Sequence, residues 1–201
     1  MKRGDWIVRK RTRAYENPWI VLYHHEVLDP SGLEGIYGLV HFRNKAIAIV
    51  PVDENLDTCL VGQYRFPLDR YSWEVPEGGG PLKEEARESA KRELKEETGL
   101  SAGILCPILE MDLSNSVTDE VSITYIALEL TAGRPQTEST ENLKLQKLPL
   151  LTAFEWVKQG KIRDALSVAS LMKLQLIMLQ NKIGNYSDLL KYFKSDQPMN
   201  G

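Results

Sequence analysis

The sequence contains few cysteines, little net charge and no long apolar run. Its two cysteines, Cys59 and Cys106, are far apart and lack the spacing of metal ligands, so we expect reduced thiols in a cytoplasmic protein. No stretch approaches eighteen consecutive apolar residues, so we expect no membrane span and no membrane partner. A net charge of −3 over 201 residues argues against binding nucleic acid through bulk charge. This length suits one globular domain with a small appendage.

The order of the predicted strands and helices indicates the fold class. Runs rich in β-branched and aromatic residues predict strands over 6–15, 19–28, 36–42, 45–52, 58–65, 108–113 and 121–130. Helices are predicted over 83–98, 153–158, 164–180 and 187–193. Gly99 should end the first helix and Thr152 should begin the second. Strands 45–52 and 58–65 are interpreted as a central hairpin, and the whole pattern predicts an α+β fold.

Three glutamates of the predicted helix over 83–98 are candidates for a metal site. Glu93, Glu96 and Glu97 are spaced by three and four residues, so their carboxylates leave the helix on one side and repel one another. Oxygen ligands suit a hard divalent cation, Mg²⁺ or Mn²⁺, which would relieve that repulsion. The glycines at 78–80 would let backbone carbonyls approach the same cation. The alternative is an ordinary solvated face of a Glu-rich helix.

Residues 78–100 resemble the signature of the Nudix hydrolases. That signature is a glycine, five residues, a glutamate, seven residues, and then Arg-Glu-apolar-x-Glu-Glu-x-Gly-apolar. Its specified positions are filled here by Gly78, Glu84, Arg92, Glu93, Leu94, Glu96, Glu97, Gly99 and Leu100. The resemblance implies the Nudix α/β/α sandwich with a mixed sheet over residues 45–201, preceded by an N-terminal antiparallel β unit over residues 1–44. Glu84 and Arg92 would form a structural ion pair.

The resemblance also implies a metal-dependent reaction. Glu93 and Glu97 would be the principal ligands of Mg²⁺ or Mn²⁺, and Glu96 would contribute to the site directly or through water. The backbone carbonyl of Glu77 would complete the ligand set. The implied reaction is hydrolysis of a nucleoside diphosphate linked to another group, by attack of water on phosphorus.

A second resemblance narrows the substrate. Residues 61–66 and 71–79 are similar to the corresponding stretches of ADP-ribose pyrophosphatases and related nucleotide-sugar hydrolases. In that group the arginine that matches Arg65 contacts the phosphates of the substrate, and it is counted here among the catalytic residues. A salt bridge at a strand end is the alternative interpretation of Arg65.

The N-terminal unit carries the candidate residues for the nucleobase. In the same group an extra strand unit is exchanged between the two subunits of a homodimer and helps to form the base pocket, so we expect a homodimer. Trp6, Trp19 and Tyr23 could stack on the base, although aromatic residues in strands are more often part of a core. His24 and His25 should point to opposite faces of their strand, and His41 is interpreted as structural.

The polar loop over 114–120 supplies a candidate general base. Glu120, next to Asp119, lies where these enzymes often carry a catalytic glutamate, which would deprotonate the water or bind a further metal ion. A solvated turn is the alternative. The Pro-Gly pair frequent in this loop among ADP-ribose hydrolases is absent, which favours another nucleoside diphosphate sugar, such as GDP-mannose or ADP-glucose. A Nudix hydrolase of dinucleoside polyphosphates or oxidised nucleotides, and a nucleotide-sensing regulator, remain as alternatives.

Overall fold

The computed structural model describes residues 1–134 and 143–195. The strands are β1 (Lys2–Arg3), β2 (Trp6–Glu16), β3 (Ile20–Leu28), β4 (Glu34–Phe42), β5 (Asn44–Pro51), β6 (Asp57–Arg65), β7 (Arg70–Glu74), β8 (Glu77–Pro81), β9 (Leu100–Leu113), β10 (Glu120–Ala132) and β11 (Lys144–Pro149). The helices are α1 (Ala86–Thr98), α2 (Leu150–Lys158), α3 (Ala165–Gln180) and α4 (Tyr186–Ser195). Mixed strands and helices confirm the predicted α+β class.

The first four strands form a sheet of their own. Its order is β1-β2-β3-β4, and every neighbouring pair is antiparallel, which confirms the predicted N-terminal β unit. The turn between β2 and β3 is stabilised by Asn17, whose side-chain oxygen accepts hydrogen bonds from the backbone N–H groups of Trp19 and Ile20 at 2.9 and 2.8 Å. An Asx turn of this kind is what an Asn-Pro pair between two strands predicts.

Two further sheets make the body of the fold. The larger has the order β8-β5-β10-β9 and contains a parallel pair, β5 with β10, among antiparallel ones; the smaller has the order β11-β6-β7. The predicted central hairpin of residues 45–52 and 58–65 is therefore wrong. Strand β5 is buried on both faces, since Ile47 to Val50 are fully buried, and its two edges are taken by β8 and β10. Strand β6 pairs with β7 and β11 instead.

Helices cover both faces of the larger sheet. Ala86, Ala90 and Leu94 of α1 are buried against Ile47 and Ile49, which confirms the four-residue apolar period as the buried stripe of a helix. Helices α2 and α3 pack on the opposite side in a second and larger apolar cluster. The arrangement is an α/β/α sandwich with a mixed sheet, as predicted.

Several element boundaries differ from the predictions. Gly99 has a φ of 74° and ends α1 as expected, because this left-handed conformation favours glycine. Thr152 does not begin α2, which starts at Leu150, three residues before the predicted start, with Pro149 at the cap position. Asp164 caps α3 by accepting a hydrogen bond from the backbone N–H of Ser167 at 2.7 Å. None of the helices in the described part of the chain has the length and apolar character that crossing a bilayer requires.

Candidate active site

Helix α1 and strand β8 meet at the predicted metal ligands. Glu93 and Glu97 are both buried on the inner side of α1, one helical turn apart. An oxygen of Glu97 accepts a hydrogen bond from the backbone N–H of Glu77 at 2.9 Å. A Cβ atom on Gly78 would lie only 2.5 Å from Oε1 of Glu93, so a side chain at position 78 would displace the carboxylate. Glycine at the start of the signature therefore allows the strand to approach the acidic face of the helix.

Arg92 connects the carboxylates of Glu93 and Glu96 to β8, called the glycine strand here because residues 78–80 are glycines. Its guanidinium donates hydrogen bonds to Glu93 at 2.7 Å, to Glu96 at 3.0 Å and to the carbonyl of Gly79 at 2.8 Å. Glu84, the expected partner of Arg92, lies 4.0 Å from its guanidinium. Instead, Glu84 accepts a 2.5 Å hydrogen bond from the hydroxyl of Ser89 in α1. The structural ion pair implied by the signature is thus a loose one, and Arg92 mainly orients Glu93 and Glu96.

Arg65 lies at the end of β6 and is held by two carboxylates. Its Nε atom donates to both oxygens of Glu74 at 3.0 Å, and its Nη2 atom donates to Glu74 at 2.5 Å and to Glu77 at 2.7 Å. Burial alone would lower the pKa of Arg65, but the hydrogen bonds to Glu74 and the charge of Glu77 outweigh burial and raise the pKa. One third of the Arg65 side chain is still exposed, so part of the guanidinium remains accessible.

A cluster of carboxylates that the sequence analysis did not predict surrounds Arg65. One oxygen from each of Glu74, Glu77 and Asp164 lies within 4.8 Å of the others, although Asp164 comes from the start of the distant helix α3. Burial, followed by the charges of Asp164 and Glu74, raises the pKa of Glu77 well above its ordinary value. The sequence did carry a signal for Asp164, an acidic residue before a long apolar helix, but that pattern predicts only a helix cap.

These observations fit a divalent cation. In the described part of the chain, Oε2 of Glu77 is buried and has no hydrogen-bond partner, which costs free energy unless a further group satisfies it. Glu93 and Glu97 add two more buried carboxylates next to the glycine strand. The candidate metal ligands are all oxygen atoms, which magnesium and manganese prefer. The residues present therefore suit such an ion on chemical grounds.

One cleft brings together four of the residues singled out from the sequence. It has a volume of about 280 Å³ and is lined by Trp19, Arg65, Glu77 and Glu120, together with the glycine strand. Trp19 is 64% exposed, and its indole is therefore accessible. Glu120 is partly buried at the start of β10, and burial, with a smaller effect of the neighbouring Asp119, raises its pKa.

Trp6 and Tyr23 lie outside this cleft. Both line cavities between the N-terminal sheet and the loop over 115–119, and neither lines the cleft that contains Glu120. Trp6 packs edge-to-face against Tyr37 with ring centroids 5.5 Å apart. The guanidinium of Arg11 covers one face of Tyr23 at 3.5 Å. Within one chain, Trp19 is thus the one of the three predicted stacking residues that lines the cleft with Arg65 and Glu120.

The fold and the site define the class of protein. A model of the NUDIX domain family matches residues 42–170. The chain belongs to this family, and it is a Nudix pyrophosphatase, a hydrolase of phosphoric anhydrides.

Known proteins place the chain near one branch of the family. It is 30% identical over 168 residues to the ADP-ribose pyrophosphatase of Bacillus subtilis, covering 83% of this chain and 90% of that protein. It is 31% identical over 138 residues to the ADP-ribose pyrophosphatase of Mycobacterium tuberculosis, covering 66% of this chain but only 65% of that protein. A mouse ADP-sugar pyrophosphatase is 28% identical over 171 residues, covering 76% of this chain and 78% of that protein. A crystal structure of an ADP compounds hydrolase has the same fold, with a TM-score of 0.79, 18% identity and coverage of 90% of this chain and 97% of that one.

Proposed function

We propose that this protein hydrolyses the pyrophosphate linkage of ADP-ribose or of a nucleoside diphosphate sugar, and that it releases a nucleoside monophosphate and a sugar phosphate. The observation that carries the proposal is the cleft lined by Trp19, Arg65, Glu77 and Glu120, next to the buried carboxylates of α1. The cleft combines the Trp19 ring, the Arg65 guanidinium and several carboxylates. These groups suit a nucleobase, a diphosphate and a metal ion, respectively. The Bacillus and Mycobacterium ADP-ribose pyrophosphatases and the mouse ADP-sugar pyrophosphatase, to which the chain is similar, support the same substrate class.

Mg²⁺, or Mn²⁺ in its place, is the proposed cofactor. Glu93 and Glu97 would hold it, with Glu96 and the backbone carbonyl of Glu77 as further ligands. When bound, such an ion lowers the pKa of a water molecule and neutralises negative charge on phosphoryl oxygens. Arg92 would keep Glu93 and Glu96 oriented, since it donates hydrogen bonds to both carboxylates.

The other residues of the cleft have separate proposed roles. The accessible part of the Arg65 guanidinium would bind the phosphates of the substrate, while Glu74 fixes its orientation. Glu120 would accept the proton of the attacking water, and the rise of its pKa caused by burial strengthens the carboxylate as a base. Trp19, accessible in the same cleft, would stack on the nucleobase.

Residues 1–44 are proposed as an N-terminal unit that mediates a homodimer, with residues 45–201 as the catalytic domain. The separate sheet β1-β2-β3-β4 and the start of the family match at residue 42 support this division. Leu33 and Ile36 of the unit are strongly exposed apolar residues, as an interface requires. In such a dimer Trp6 and Tyr23 would contribute to the base site. Light scattering should give twice the mass of one chain, and a monomer would contradict the homodimer.

Both cysteines of the chain, Cys59 and Cys106, are free thiols, which supports the proposed cytoplasmic location.

The test of the metal-dependent reaction is the variant Glu97→Gln with Glu88→Gln as its control. Glutamine keeps an oxygen that can accept the hydrogen bond from Glu77, so the fold should survive, but it removes the charge that binds the metal. We expect kcat on ADP-ribose or the preferred sugar substrate to fall by about 100-fold or more. Glu88 lies on the same helix but is exposed and paired with Lys91, so its variant should remain within about two-fold of the wild type. Wild-type activity in folded Glu97→Gln protein would contradict the proposal.

A further inference from the structure

The loop that precedes Glu120 is attached to the last residues of β4. The backbone N–H of Val40 donates to the carbonyl of Val117 at 2.9 Å, and the N–H of Asp119 donates to the carbonyl of Val40 at 3.4 Å. Val40 and Thr118 thereby form a short parallel bridge between the N-terminal sheet and the loop. The N-terminal sheet is thus in direct backbone contact with the segment that leads into the cleft.

The side chain of Asp119 completes this attachment. One carboxylate oxygen accepts a hydrogen bond from the backbone N–H of Phe42 at 3.0 Å, and the other lies 2.6 Å from Nδ1 of His41. Asp119 lines the cavities on the side of the N-terminal sheet, whereas Glu120 lines the cleft that contains Arg65 and Glu77. The side chains of Asp119 and Glu120 therefore point in opposite directions. Anchoring Asp119 fixes the backbone from which the Glu120 side chain extends.

We propose that His41 is a positioning residue, which acts through Asp119 to hold Glu120 in place for the hydrolysis of the pyrophosphate linkage. The inference rests on the proposed function, including the role of Glu120 as general base. His41 and Asp119 are each 38% exposed, and pairs that solvent reaches this easily contribute little to stability. Loss of this pair should therefore be seen in the rate of catalysis rather than in the free energy of unfolding.

The size of the effect follows from the distance that a general base tolerates. A displacement of a catalytic group by about 1 Å can cost on the order of 100-fold in rate. Loss of the His41 contact leaves the Asp119 side chain bonded to Phe42 and its backbone N–H bonded to Val40, so the displacement should be partial. We expect about a 10-fold to 100-fold fall in kcat with KM close to that of the wild type, since no substrate contact is removed.

The experiment compares the kcat of two variants of His41 and one control variant of His24, each measured with Mg²⁺ and the preferred substrate. His41→Phe keeps a ring but removes Nδ1, while His41→Asn can place an N–H group near the position of Nδ1. His24→Phe is the control, because His24 is exposed on the other side of the same sheet. The proposal expects kcat to fall in His41→Phe, to recover in His41→Asn and to stay unchanged in His24→Phe.

A second comparison shows whether His41 acts through Glu120. In a Glu120→Gln background, His41→Phe should lower kcat little further, because residues that act as one unit are not additive. Full additivity, or a wild-type kcat in folded His41→Phe protein, would overturn the inference while leaving the proposed function intact. Wild-type protein without activity on any sugar-linked nucleotide would refute the proposed function and the inference with it.

Discussion

Gly78 offers a sharp test of the site, because its replacement by alanine should lower activity on the order of 100-fold without unfolding the protein. The backbone of Gly78 is not in the left-handed region, so alanine introduces no conformational strain. Its Cβ atom would lie 2.5 Å from Oε1 of Glu93, whereas ordinary contact begins near 3.4 Å. The Glu93 carboxylate must therefore move by about 1 Å, and a misplacement of that size costs on the order of 100-fold in rate.

The assay is steady-state hydrolysis at a series of Mg²⁺ concentrations, with thermal unfolding measured in parallel. The moving group is the end of a flexible side chain, so the melting temperature should change by only a few degrees. Gly38→Ala is the matched control, since a Cβ atom there meets nothing within 4 Å. Gly78→Ala protein with a kcat within about three-fold of the wild type would refute the reasoning, because the close approach of Gly78 and Glu93 would then have no role in catalysis.

The remaining predictions concern the surroundings of the cleft. Arg65→Met should lower the free energy of unfolding by roughly 1–3 kcal/mol in urea titrations, because Glu74 stays buried without its partner. Adding Glu74→Gln should restore part of the lost stability. Unchanged stability of Arg65→Met would contradict this prediction. Gly62→Ala should cost about 1–3 kcal/mol, since its Cβ atom would lie 2.6 Å from the Trp73 ring; an unchanged melting temperature would count against it. Burial, aided by the charge of Glu97, raises the pKa of Cys59 from 9.0 to about 11. At pH 8 its labelling, followed by mass spectrometry, should be about 100-fold slower than that of a free thiol and should accelerate as pH rises; labelling at the free-thiol rate would refute the pKa shift.

The parts of the fold that local patterns determine could be predicted from the sequence. The stripe of Ala86, Ala90 and Leu94 depends only on helical periodicity, and α1 contains it as expected. The supposed hairpin was wrong because strand pairing is decided by residues that are distant in the chain. The continuous apolar run around Ile47 is typical of a strand buried on both faces, which needs partners on both of its edges.

Strand β8 was missed for a different reason. Glycine is rare in strands, so the sequence pattern predicts no strand over 77–81. In the structure this strand pairs with β5 and lies against α1, where Gly78 meets Glu93 and Gly80 meets Ser89 too closely for a Cβ atom. The glycines are thus required by the tight approach of the helix rather than by a turn.

The candidate site was predictable where the signature is contiguous. Glu93, Glu96 and Glu97 follow from helical spacing and from the resemblance to the family, and the structure places Glu93 and Glu97 in the interior. Glu74 and Asp164 could not be found in this way, because Glu74 ends a strand outside the signature and the position of Asp164 before a helix predicts only a cap. Glu74 ends β7, Glu77 begins β8 and Asp164 precedes α3, so the three carboxylates come together only in the folded chain.

The most direct test of the central claim is the identity of the reaction products. The purified protein is incubated with Mg²⁺ and, in separate reactions, with ADP-ribose, GDP-mannose, ADP-glucose and a dinucleoside tetraphosphate, and the products are separated by ion-exchange chromatography. We expect at least one of the three sugar-linked substrates to yield a nucleoside monophosphate and a sugar phosphate. Cleavage of the tetraphosphate alone would contradict the claim and indicate a different Nudix substrate. No cleavage of any substrate by folded, metal-binding protein would also contradict it and favour a nucleotide-sensing role.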